Sequence, residues 1–303
     1  MVLITLDPTH LQPPTRGDST DQARQALPSV KNSKAHPYKP GGELAEWQGV
    51  RILTDPNFLH AGDHVHLGPG LTSTRMDHFD REVETSLRRD LPIVTTSHAK
   101  SILTSKEADS FANIHNVDHF YQMMINIANR ETDQNVPSLQ VTGMPGKHVP
   151  LGKPMGMFND IIGAFPPVNG WMLELGYGRS ADDFNAGYRI YISGDTLLVN
   201  ELKEIPRLYD ENNIDMMTEH LGATMVPSLS LMPFTVMATM NAEQGVELMQ
   251  LVKPDITTRV HFNDCDVMSE SIEEFKLAVE KAGLSGGVVY LDRGEEYRFR
   301  VRR

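Results

Sequence analysis

A succession of short apolar runs, each of strand length and each punctuated by Gly, Pro or Asp, limits most strongly what this chain can fold into. The runs occupy 91–96, 139–142, 171–175, 188–193 and 256–262. An earlier one, GVRILTDP at 49–56, closes on Asp-Pro and reads as a strand followed by a turn. Helical patterns lie between several of them. In 241–252, Asn241 can cap, Gln244 stands at capping-box spacing, and Ala242, Val246, Met249 and Val252 share one face. In 271–282, Ser271 and Glu274 repeat the box, and Ile272, Phe275 and Val279 form a stripe to be buried. Gly283 follows, where a helix end takes a left-handed residue. Segments 288–291 and 297–301 flank Asp292-Arg293-Gly294 and are expected to pair as a hairpin on a sheet edge. Strands and helices in mixed order, without strict βαβ alternation, predict sheets with helices packed outside. Residues 1–42 are rich in Pro, Ser, Lys and Asp and sustain no apolar period. This predicts a flexible arm over 1–45 and one folded domain over 46–303.

With 303 residues and 40% hydrophobic positions, the chain can bury one large core. Its formal charge of -12 would repel a phosphate backbone, so nucleic acid is not the expected partner. Cys265 is the single cysteine, which excludes an internal disulfide and a cysteine-built zinc site and points to a reducing compartment. No run approaches the ~20 apolar residues of a membrane span, and the first residues lack the basic-then-apolar order of a secretory signal. The expected location is cytoplasmic.

Histidine and aspartate at strand ends carry the chemistry. His148 in GMPGKHVP, Asp195 in YRIYISGDT and His261 in TTRVHFND each stand where a loop leaves an apolar run. A metal site needs that placement, because the strand fixes the backbone while the loop aims the side chain. Asp77-His78 in MDHFD is a fourth element, and adjacent residues can serve one metal from a turn. Singly, each has a plainer explanation: a histidine satisfied by a carbonyl, or a Gly-Asp turn. Their joint occurrence in this order argues for a site.

From about residue 49 to residue 303, LTDPNF, GMPGKHVP, NGWMLELGYG, YRIYISGDT and VVYLDRGEEYRFRV resemble the metallo-β-lactamase superfamily, most closely its fungal hydrolase-like branch. The resemblance implies an αββα sandwich of the α/β class and a metal-dependent hydrolase. In that family an HxHxDH motif supplies four ligands, a later His completes the first metal site, an Asp bridges both metals, and a final His completes the second. By resemblance His148 is the later His, Asp195 the bridge and His261 the final ligand. Asp77 and His78 match the last two residues of HxHxDH, but its first two histidines are absent. The strand presenting the motif is expected to be missing, and KPGGELAEWQ, where the opening strand belongs, has little β-character.

Asp77, His78, Asp195 and His261 would then hold one zinc, or another divalent metal, rather than a pair. Asp77 and Asp195 would orient the attacking water on a small-molecule ester, lactone, amide or phosphodiester. Three alternatives stay open: an impaired enzyme, an inactive member acting as a binding or scaffold protein, and an incomplete gene model of an active hydrolase. His64 and His66 form an HxH, but by resemblance their stretch is an addition to the motif and reads as a loop near the site. His220 reads as a buried histidine bonded to backbone, and Cys265 as a small apolar side chain.

Overall fold

The computed structural model describes residues 2–6, 29–32, 43–54, 81–105, 109–127, 136–148, 167–209, 213–226, 236–260, 269–292 and 295–303. In chain order the strands are β1 (Val2–Leu6), β2 (Ser29–Asn32), β3 (Glu43–Trp47), β4 (Val50–Thr54), β5 (Ile93–Thr95), β6 (Ile114–Asn116), β7 (Gln122–Ile127) and β8 (Pro137–Gly146). There follow β9 (Val168–Tyr177), β10 (Asn185–Ile192), β11 (Met216–His220), β12 (Met225–Val226), β13 (Val236–Met237), β14 (Ile256–Val260), β15 (Val288–Val289) and β16 (Glu296–Arg298). The helices are α1 (Arg81–Ser86), α2 (Ser97–Leu103), α3 (Glu204–Leu208), α4 (Ala242–Val252) and α5 (Ile272–Lys281).

A large mixed sheet has the order β1-β7-β8-β9-β10-β11-β14-β15, and a smaller one the order β16-β2-β3-β4. The period of two along the central strands divides side chains between two cores. Leu139, Val141, Leu173, Leu175, Ile190 and Ile192 meet Ala45, Trp47, Val50 and Phe299 of the small sheet. On the other face Met144, Met172, Tyr191 and Met217 pack with Leu248, Met249, Phe275 and Val279 of α4 and α5. The expected layered α/β architecture is therefore present.

The polar residues of the helix-side face are paired across strands. Gln140, Glu174 and Arg189 stand directly opposite one another on β8, β9 and β10. Glu174 accepts from Gln140 Nε2 at 2.7 Å and from Arg189 Nε at 2.8 Å. Both expected helix caps form. Asn241 accepts from the Gln244 amide at 2.9 Å, although the Gln244 side chain does not close the box. Glu270 instead accepts from the Ala242 amide at 2.6 Å. The Ser271–Glu274 box is complete, and Gly283 ends α5 at φ +72° with the Leu284 amide bonded back to Val279.

Three expectations are corrected. The opening strand is present as β3, joined to β4 through Gln48 (φ 50°) and Gly49 (φ 79°), a tight turn with two left-handed residues. Its alternation buries Ala45 and Trp47, a pattern that low intrinsic β-propensity had hidden. Within 1–45, β1 pairs with β7 and β2 with β3, so those nine residues are sheet and not arm. β1 finds its partner more than 100 positions along the chain, whereas β2 pairs with β3 only 11 to 17 positions on. Finally, 288–291 and 297–301 do not pair with each other. β15 joins β14 and β16 joins β2, so the Asp292–Glu295 turn carries the chain from the large sheet to the small one. Among the described residues no helix is long and apolar enough to cross a membrane.

Candidate metal centre

Strand direction gathers the candidate ligands. β8 and β10 both run antiparallel to β9, β11 runs parallel to β10, and β14 parallel to β11. The C-terminal ends of β8, β10, β11 and β14 therefore share one sheet edge. His148 follows β8, Asp195 follows β10, and His220 is the last residue of β11. Asp77, His78 and His261, with His64, His66 and Cys265, lie outside the described residues.

The loops at this edge are stitched together. The Lys147 amide donates to Thr196 Oγ1 at 2.9 Å, the Leu197 amide to the Lys147 carbonyl at 2.8 Å, and the Met240 amide to the Thr196 carbonyl at 2.9 Å. The loops bearing His148 and Asp195 and the one entering α4 are thus tied to one another. Gly194 turns the chain at φ +60°, and a Cβ there would stand 2.6 Å from the Asn169 carbonyl. Only glycine allows so close an approach. Asp195 is buried beside it. Thr196 is fully buried, so Thr196→Val is expected to cost about 1–2 kcal/mol by leaving the Lys147 amide without its acceptor, measured by urea denaturation. An unchanged midpoint would refute the stitch.

His148 Nδ1 donates to the Ala238 carbonyl at 3.0 Å. This fixes the tautomer with Nε2 as the basic nitrogen, which is how a carbonyl prepares an imidazole to ligate. Nitrogen and carboxylate oxygen donors of this kind suit zinc and iron alike. Among the described residues no group of three or more His, Cys, Asp or Glu side chains converges on one point. The structure brings together the loops of His148 and Asp195. His220 is buried at the same edge, its amide donating to Ser193 Oγ at 3.0 Å. Sequence reasoning missed the Ala238 carbonyl, since a backbone acceptor leaves no signature in residue type. SGDT did contain Thr196, but nothing local shows that its hydroxyl reaches Lys147.

Beneath the edge, on the helix side, Glu219 stands opposite Arg259 on neighbouring strands. Both are buried, and among the described residues neither Glu219 oxygen has a hydrogen-bond partner. Burial pushes the Glu219 carboxyl well above the usual range, with the Arg259 charge acting in the opposite direction. Arg259 is lowered to about 10 by burial, against the pull of Glu270, Glu219 and Glu274. Its Nη1 donates to the Ser271 carbonyl at 2.9 Å and its guanidinium lies over Phe275.

No family model matches the chain. A UPF0173 metal-dependent hydrolase of Archaeoglobus fulgidus is 25% identical over 259 residues, covering 82% of this chain and 92% of that protein. One from Methanopyrus kandleri is 24% identical, over 83% of this chain and 94% of that protein. Among solved structures, an isothiocyanate hydrolase from Delia radicum gut bacteria superposes with a TM-score of 0.59 at 14% identity, covering 90% of this chain and 98% of that one. Igni18, a metallo hydrolase from the archaeon Ignicoccus hospitalis, gives 0.57 at 18% identity, covering 91% and 100%. CmlA, a diiron β-hydroxylase from Streptomyces venezuelae, gives 0.52 at 11% identity, covering 90% and 54%. The chain shares the fold of the isothiocyanate hydrolase and of Igni18, the metallo-β-lactamase-like α/β fold expected from the sequence. Its sequence relatives are named metal-dependent hydrolases.

Proposed function

We propose that this chain is a metal-dependent hydrolase of small molecules whose ligands are His148, Asp195, His261, Asp77 and His78, with one zinc bound rather than two. The observation that supports it best is the His148 Nδ1 bond to the Ala238 carbonyl, on a loop stitched to that of Asp195. Connectivity adds to it, because His261 is the next residue after Val260 at the end of β14. Bound there, the metal would polarise the scissile group and lower the pKa of water to about 7.

The chain's own groups would do the rest. His148 would be presented in one tautomer by Ala238, and Asp195, with Asp77, would hold and orient the attacking water through its carboxylate. The substrate classes in view are esters, lactones, amides and phosphodiesters; the net charge of -12 disfavours nucleic acid. Iron is the competing metal, since the same fold serves the diiron CmlA.

Elemental analysis of the gel-filtered protein tests the reading. About one zinc per monomer is expected. A folded monomer holding none after zinc addition would sink the metalloenzyme and leave the binding-protein or incomplete-gene alternative.

A further inference from the structure

The loop joining β6 to β7 carries two aromatic side chains in water, Phe120 at 42% and Tyr121 at 72% exposure. Phe120 adopts φ +65°, a conformation that a bulky side chain takes only when its surroundings impose it. The surroundings are specific. The Phe120 amide donates to the Gly143 carbonyl at 2.7 Å and the Gly143 amide to the Tyr121 carbonyl at 3.1 Å. A Cβ at Gly143 would stand 2.5 Å from the Asp118 carbonyl oxygen, so β8 presents bare backbone there. Asp118 is itself anchored by the Ser97 amide at 3.1 Å and the Ser97 hydroxyl at 2.6 Å.

β7 begins where antiparallel β8 nears its end, so this loop stands at the edge that bears His148 and Asp195. The link is direct. Asn169 Nδ2 donates to the Val117 carbonyl at 2.7 Å, and the Asn169 carbonyl is the group against which Gly194, beside Asp195, is fitted. His119 Nε2 donates to the Val168 carbonyl at 3.1 Å, and Val168 pairs with Gly146 two residues before His148.

We propose that Phe120 and Tyr121 form the specificity platform of the site, binding the aromatic portion of a substrate whose polar, scissile end faces the metal-ligand edge. This rests on the hydrolase reading and narrows its substrate class to aryl-bearing compounds. Exposed rings carried beside a polar edge on a backbone fixed by these hydrogen bonds gain by covering a planar apolar group, and stacking favours a ring over a chain.

The test is isothermal titration of zinc-supplemented protein with naphthoate, hexanoate and acetate, carboxylates that differ in their apolar part. Naphthoate is expected to bind roughly tenfold more tightly than acetate, with hexanoate between them. In Phe120→Gly/Tyr121→Ser the advantage of naphthoate over acetate should shrink to about threefold or less, and Phe120→Tyr should restore it. Glycine accepts the positive φ, so the double variant should melt no lower than wild type, separating lost recognition from lost folding. An undiminished naphthoate advantage in the double variant, equal affinities in wild type, or no naphthoate binding overturns the proposal. Metal content of the same samples reports separately on the hydrolase reading.

Discussion

Asp195→Ala is expected to lower metal affinity at least about 100-fold, since loss of a mere supporting group around a metal costs 10–100-fold. The carboxylate is buried at the turn after β10, where Gly194 and Asn169 hold the backbone, so alanine should not disturb the chain path. The apo variant should therefore unfold close to wild type. With metal at about 100 times Kd, wild type should gain roughly 2.7 kcal/mol of stability, and the variant little or none. Thermal unfolding with and without zinc, alongside elemental analysis, measures this. A variant that keeps wild-type zinc affinity would remove Asp195 from the ligand set.

Arg259→Met should be the most damaging single change in the helix-side core, costing about 3–5 kcal/mol at neutral pH. It removes the Arg259 charge that partly offsets the burial of Glu219, the bond to the Ser271 carbonyl and the contact with Phe275. Its cost should also depend on pH. Glu219 has its folded pKa raised above the unfolded value, so its contribution to stability is fully present below the unfolded pKa of about 4.3 and is lost as pH rises through the raised folded value. Without Arg259 that loss deepens, and the variant should be weaker at pH 8 than at pH 5 by more than wild type is. Adding Glu219→Leu should recover much of the stability and flatten the pH dependence, because an apolar replacement of a buried charged pair is near neutral. Urea denaturation at the two pH values decides it. Equal losses at both would mean that Glu219 does not feel Arg259.

Segments with strong local patterns are legible in the sequence. The α5 cap, stripe and Gly283 terminus formed as read, because a capping box and a 3.6-residue stripe are satisfied within a dozen residues. The runs behind β8, β9, β10 and β14 were legible because central strands are buried on both faces. β3 was not, since ELAEW gains its strand character from β4 through a left-handed turn, and β1, although VLITL has the β-branched residues of a strand, opens a polar stretch and pairs with β7 over 100 positions away. The final hairpin failed for the same reason. Turn residues at 292–294 mark a reversal, but whether its arms pair depends on which sheet edges are open.

For the site, the sequence by itself determined the donor types, His148 and Asp195 at strand ends, because strand-then-ligand order is a one-dimensional property. Only the tertiary structure decided that those ends share an edge, which follows from β8 and β10 flanking β9 in the opposite direction. It alone also decided that Ala238 orients His148, that Thr196 ties the two loops, and that Glu219 and Arg259 meet beneath them. These are contacts between residues 40 to 90 positions apart, or with backbone carbonyls that every residue carries. Chain folding alone brings such groups within hydrogen-bonding or Coulombic range.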